Sequence, residues 1–236
     1  MNPAPPVTQT FPSSTLHLLE QWQADLLPRG FYQQDTVAVA RELLGKLLFR
    51  QLPEGLVVLR VMETEAYLGV EDAACHTAGG RRTARNQVMW GEAGHLYVYF
   101  TYGMHYCANV VTRAPGDPQA VLLRGGEVIF GNDIVKGRRG GRSDVNGPAK
   151  LCQALGLTRE ENGWDLTQGE GIFLADDGFS LPSEAILALP RVGVAYAGEA
   201  AAWPLRFVIR GFPAVGLKGA DEPAKLQKSP GERKPR

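Results

Sequence analysis

GHLYVYFTYGMHYCANVV, Gly94 to Val111, holds four of the chain's seven tyrosines, at 97, 99, 102 and 106, around one glycine, Gly103. HLYVYF and HYCANVV each read as a strand, and TYGM between them reads as a tight turn with glycine supplying the unusual dihedrals. Tyr97 and Tyr99 share one face of the first strand, and Leu96, Val98 and Phe100 share the other. Two apolar faces predict a largely buried hairpin. Tyr102 stands apart, because a large aromatic at a turn has little core to enter. Such a residue suits a probe inserted into a partner.

Upstream of the hairpin, GLVVLRVMETEAY reads as a strand, and period two puts Val57, Leu59, Val61, Glu63 and Glu65 on one side. Glu65 thus extends an apolar face, where a carboxylate is costly unless something pairs or uses it. Before that, DTVAVARELLGKLLF predicts a helix capped by Asp35, with Val37, Ala40, Leu44, Leu47 and Leu48 on one face. Downstream, QAVLLR reads as a short strand. NGPAKLCQALGL reads as a helix with Pro148 in its first turn and Gly156 past its end. RVGVAYA and PLRFVIRG read as closing strands. The sum is an α+β single domain, a mainly antiparallel sheet with flanking helices.

The chain has 236 residues, enough for a full core, and 25 basic against 25 acidic residues, so no global field marks a polyanionic partner. Charge is segregated locally. Arg81, Arg82 and Arg85 lie within five residues, and Lys136, Arg138, Arg139 and Arg142 form a second basic cluster. The three cysteines, 75, 107 and 152, lack CxxC spacing, which argues against a disulfide framework and for a reducing compartment. No signal-peptide pattern and no bilayer-length apolar run is present, so a soluble, intracellular protein is expected. The ends are rich in Pro, Ser and Thr or in Lys and Arg. They set the expected organisation: a flexible tail over 1–28, one domain over 29–218 and a flexible basic tail over 219–236.

Several side chains carry candidate chemistry. Glu63 and Glu65, two apart on a strand, project roughly 6–7 Å from one another, a separation that suits two carboxylates flanking a glycosidic bond. Spacing alone equally allows ordinary acids at a strand end. His76, in EDAACHTAGGRRTARN, is read as a structural histidine sooner than a metal ligand. Asn109 and Arg124 each interrupt an apolar strand, and each is either structural glue or pocket lining. A sugar hydrolase with two carboxylates remains open at this level. So does a nucleic-acid-binding module that stacks tyrosines on bases.

Taken in order, ETEAYLG, GGRRTARN, LYVYFTYGMHYCANVV, AVLLRG, NGPAKLCQALGL, RVGVAYAGE and PLRFVIRG closely resemble the alkyladenine (3-methyladenine) DNA glycosylase family, from about Gly30 to Gly211. The resemblance implies a curved sheet with a protruding, DNA-intercalating hairpin. It implies Glu65 as catalytic base, Arg124 and the Val192 carbonyl as holders of the attacking water, and a base pocket of Tyr67, His76, Tyr99, Asn109 and Leu122. Asn109 takes the role of screening out normal guanine. Tyr102 is the intercalating residue, with Met104 and His105 beside it in the groove; many relatives carry an aromatic where His105 stands. Arg81, Arg82 and Lys150 are the expected phosphate contacts. The implied partner is damaged double-stranded DNA, bound by a monomer in the cytoplasm, nucleoid or nucleus, with no metal or cofactor. The implied reaction is release of 3-methyladenine or 7-methylguanine, and of neutral bases such as hypoxanthine or ethenoadenine less readily. No amine falls among the catalytic and base-pocket residues, and Lys150 at a helix start is better placed to meet a phosphate, so no strand nicking is expected.

Overall fold

The computed structural model describes residues 25–214. Within them ten strands form one sheet in which every pairing is antiparallel, joined by short α-helices and 3₁₀ turns. This is an α+β architecture. In chain order, β1 is Asp25–Leu26, α1 Arg29–Tyr32, α2 Thr36–Glu42, β2 Leu47–Leu52 and β3 Gly55–Tyr67. Then come β4 Leu96–Thr101, β5 His105–Thr112, β6 Gln119–Phe130, α3 Asn132–Arg138, β7 Val145–Asn146 and α4 Pro148–Leu155. The last strands are β8 Ile172–Asp176, β9 Ile186–Leu189 and β10 Arg206–Ile209.

Strand β3 organises the rest. One of its edges pairs along its length with β6. Its other edge is shared: β2 takes the first half, from Leu52 opposite Gly55 to Leu47 opposite Arg60, and β10 takes the second, with Arg206 opposite Glu65 and Val208 opposite Glu63. The β3–β6 register slips between Val61 and Glu63 and again before Thr64, opposite Gly125 and Gly126. A side chain at Gly126 would meet the Arg60 carbonyl at 3.0 Å, so this irregular contact is open only to glycine or a local shift.

The main core lies between the sheet and helices α2 and α4, with Val39, Ala40 and Leu43 from one and Leu151, Cys152 and Leu155 from the other. Asp35 caps α2 as expected, accepting from the amides of Val37 and Ala38. The expected helix over DTVAVARELLGKLLF stops at Glu42, however. Gly45 (φ +87) turns the chain, and Leu47 and Leu48 enter strand β2. Leu48 faces the main core, while Leu47 and Phe49 pack with Leu56, Val58 and Phe173 in a second cluster. A strand buried on both faces has no period-two signal, and its apolar run imitates a helix.

RVGVAYA also departs from expectation. Residues 191–194 lie outside any strand, and Ala195–Ala202 is a 3₁₀ segment interrupted at Gly198. Gly193 and Gly198 both take positive φ, which a regular strand does not accommodate. Residues 25–28, placed in the N-terminal tail, join the folded body: Asp25 and Leu26 pair with Asp176 and Ala175, and Leu27 is buried. Apolar contact and strand pairing hold them. Residues 1–24 and 215–236, which hold the rest of the expected N-terminal tail and all of the C-terminal one, lie outside the described residues. Among the described residues no helix is long and apolar enough to cross a membrane.

Gly131, between β6 and α3, has φ +81, and a Cβ there would stand 2.3 Å from the Leu56 carbonyl oxygen. Gly131→Ala is therefore expected to lower unfolding stability by about 2–4 kcal/mol. Urea midpoints measure this; an unchanged midpoint would show that the turn can relax around a side chain.

Candidate active site

One rung of the sheet sets the site. Arg206 on β10 lies opposite Glu65 on β3, Glu65 opposite Leu122 on β6, Leu122 opposite Asn109 on β5, and Asn109 opposite Tyr97 on β4. Directly opposed residues project to one face, so five strands deliver these side chains to a common floor. Above this floor is a cavity of about 420 Å³. Tyr67, His76, Tyr99, Tyr102, Asn109, Leu122, Arg124 and Val192 all line it, although they come from distant parts of the chain. Its size is that of a small-molecule site.

Glu65 lies fully buried beneath the cavity. Its Oε1 accepts from the Val192 amide at 2.8 Å and faces the Arg124 guanidinium at 3.3 Å. Its Oε2 accepts from the Tyr67 hydroxyl at 2.9 Å. Burial pushes the Glu65 carboxyl above the usual carboxylate range, against the pull of Arg124, the Val192 amide and the Tyr67 hydroxyl. Glu63 is also fully buried, and neither carboxylate is itself among the residues that line the cavity. Its Oε1 accepts from Arg124 Nε at 3.0 Å and Arg206 Nε at 2.6 Å. Two guanidiniums therefore clamp Glu63 as a structural anion. Burial works against the Arg124 charge, but Glu65 and Glu63 outweigh it and raise the guanidinium above its ordinary value.

His76 stands on the opposite wall, with Nδ1 2.8 Å from the Tyr97 hydroxyl and its ring edge-on to Tyr99 at 4.6 Å. Burial lowers its pKa to about 4, and the nearby cations Arg85 and Arg81 add to the shift. The imidazole is neutral at pH 7. Its charged neighbours are cations, which is the environment of a hydrogen-bonding ring and not of a metal ligand. The Asn109 amide is pinned through Nδ2 to the Tyr97 carbonyl at 3.0 Å.

At the cavity mouth Thr101 pairs with His105, leaving three connecting residues, among them Tyr102 (φ +51) and Gly103 (φ +69). Tyr102 is 81% exposed and Met104 67%. Arg81, Arg82 and Arg85 are exposed as well. Lys150 is less free: its Nζ contacts Asp144 and Asn146, both at 2.5 Å. The second basic cluster is largely paired within the chain, Lys136 with Asp133, Arg138 with Glu54 and Arg139 with Asp144.

Residues 30–213 match the family model described as methylpurine-DNA glycosylase. The chain belongs to the methylpurine-DNA glycosylase family. It is 48% identical over 197 residues to a protein of Methanocella arvoryzae named provisionally as a 3-methyladenine DNA glycosylase, covering 82% of this chain and 96% of that one. It is 44% identical over 201 residues to the human DNA-3-methyladenine glycosylase, covering 79% of this chain and 66% of the human one. A Bdellovibrio bacteriovorus relative, also named provisionally, is 44% identical over 196 residues and matched over its whole length, and over 82% of this chain. Membership places the chain among glycosylases of DNA repair, with DNA as substrate.

Sequence reasoning missed several lining residues of this glycosylase. Met89, Cys107, Gly147, Pro148 and Tyr196 also line the cavity. Tyr196 is 71% exposed and donates to the Ala74 carbonyl at 3.2 Å. Cys107 lies on β5 and Pro148 opens α4, while Met89, Gly147 and Tyr196 lie in connections that tertiary contacts place, so no local periodicity marks their meeting.

The half-buried His76 predicts a specific acid response. Its folded pKa is depressed from 6.5 to about 4, so the unfolded chain takes the proton first and stability falls as pH drops through that window. Wild type is expected to lose more stability than His76→Gln between pH 7 and 4.5, read as urea midpoints. Parallel losses would place the titration elsewhere.

Proposed function

We propose that the chain extrudes alkylated purines from duplex DNA into the Tyr67–His76–Tyr99 cavity and hydrolyses the N-glycosidic bond with water activated by Glu65. The observation that carries this reading is a buried carboxylate beneath an aromatic cavity, held by donors that favour its charged form. A carboxylate has about four acceptor sites. The Val192 amide and Arg124 occupy Oε1, and the Tyr67 hydroxyl occupies one site on Oε2. The remaining site on Oε2 is the place for a water to be deprotonated. Arg124 favours the ionised form of the base against burial, and the Val192 carbonyl is available as a second acceptor for that water.

Bases such as 3-methyladenine and 7-methylguanine carry positive charge and leave without protonation. Tyr67 and Tyr99 favour such cations by roughly 0.5–2 kcal/mol per ring. A neutral His76 adds no opposing charge, and Leu122 and Asn109 close the floor against normal guanine. Neutral lesions such as hypoxanthine or ethenoadenine lack this advantage, because a histidine with a pKa near 4 is a poor acid at pH 7. They are expected to react more slowly. Attack by water at C1′ also meets the Glu65 charge beside an oxocarbenium-like centre.

Extrusion needs a few kcal/mol of unstacking. Tyr102 at the exposed hairpin turn fills the vacated step and offsets part of this, with Met104 and His105 against the groove. The exposed Arg81 and Arg82 track phosphates. Lys150 joins them by exchanging its surface pair with Asp144, a contact of small net value. No step draws on a metal or cofactor.

Glu65→Gln is expected to slow base release by about 10²- to 10⁴-fold while lesion-duplex binding persists. Chromatography of bases freed from methylated duplex reads this, and wild-type rates in the variant would remove Glu65 from its role. The folded pKa of Glu65 is raised, so its stabilising contribution is present below about pH 4.5 and fades as pH rises. The variant should therefore be at least as stable as wild type at pH 8, with the advantage shrinking toward pH 4.5.

A water nucleophile leaves an intact abasic site. Borohydride added during turnover should trap no protein–DNA adduct, and strands should break only after alkali. A trapped covalent species would overturn the water mechanism while leaving the family assignment in place.

A further inference from the structure

Directly before Val192 in the chain is Arg191, a fully buried guanidinium outside the cavity lining. Its Nη1 donates to the Ala66 carbonyl at 2.9 Å and to Asp72 Oδ2 at 2.5 Å. Its Nη2 donates to Asp72 Oδ1 at 2.8 Å and to the Ala200 carbonyl at 3.1 Å. The guanidinium carbon also lies 4.8 Å from the centre of the Tyr67 ring. Asp72 is equally buried, and it accepts from the Leu68 and Ala74 amides at 3.0 Å each.

One side chain thus ties three segments together. Ala66 lies between Glu65 and Tyr67 on β3, Asp72 belongs to the turns leading to His76, and Ala200 lies in the segment that carries Tyr196. The residue beside it supplies the amide that holds Glu65 Oε1. We infer that Arg191, paired with Asp72, is a positioning residue for base excision, fixing the Val192 amide and the Tyr67 ring against the carboxylate of Glu65. This inference rests on Glu65 being the general base.

The groups facing Glu65 come from every side. Arg124 faces it from β6, Glu63 and Tyr67 from its own strand, Cys107 from β5, and the Val192 amide and Arg191 from the loop after β9. If the clamp loosens, the Val192 amide drifts while Arg124, Glu63 and Cys107 remain. The carboxylate then loses a donor that favours its charged form, and its ionisation moves to higher pH. The same drift misplaces the base relative to C1′.

Arg191→Lys keeps a cation for Asp72 but cannot supply four donors in a planar fork. In the full-length protein, kcat for release of 7-methylguanine from methylated duplex should fall about 10- to 100-fold. KM should stay within about threefold, and the acid limb of the kcat profile should move to higher pH. Asp72→Asn, which removes the anion from the same clamp, should move the limb in the same direction and serves if the lysine variant does not fold. Circular dichroism and thermal melts report the folded fraction of each. A loss of rate that only follows the folded fraction, with the limb in place, would overturn the inference and leave Arg191 purely structural. So would a rise in KM at unchanged kcat. Glu65→Gln run in parallel separates the two levels: if that variant retains activity, the general base itself is misassigned, whatever Arg191 does.

Discussion

Two carboxylates on one strand, both taken fully out of water, are the constraint to which the molecule answers. An unpaired buried carboxylate would neutralise itself or unfold the site. The fold supplies Arg124 from β6 and Arg206 from β10, and it uses them asymmetrically. Glu63 receives Nε donors from both guanidiniums and becomes fixed charge. Glu65 receives one guanidinium at longer range, a backbone amide and a phenol. Near-identical sequence positions thus acquire different chemical characters through their partners alone.

Much of this was legible in the sequence. ETEAY places Glu65 on an otherwise apolar strand face, and β3 spans the residues that its pattern predicts. The pair of strands around Tyr102–Gly103 was readable because turn chemistry is local. Helix α4 was too, since proline opens it and a glycine at φ +60 closes it. Eight of the residues gathered by resemblance line one cavity, which periodicity could not have told, because their meeting depends on sheet register.

The failures have physical causes of the same kind. The LLF of LLGKLLF, Leu47–Phe49, is strand because both of its faces find apolar neighbours, information that lies in β8 and α2 and not in the segment itself. RVGVAYA alternates like a strand, yet its glycine and the one that follows it adopt positive φ, and its arginine binds Asp72, 119 residues away. The paired state of Lys150 was hidden for a similar reason: a basic residue at a helix start reads as free until Asp144 is placed beside it.

The division of one β3 edge between β2 and β10 bears on the order in which the molecule assembles. Strand β2 adjoins β3 in sequence and can zip onto it early, whereas the contact of Arg206 with Glu63 spans 143 residues. Contacts of such separation form late, since the loop they close must first be ordered. On a ribosome, the cation that completes the Glu63 clamp emerges only after every other strand has been made. The pairing of Glu63 is therefore finished last, and a partly synthesised chain holds that buried carboxylate with Arg124 but without Arg206.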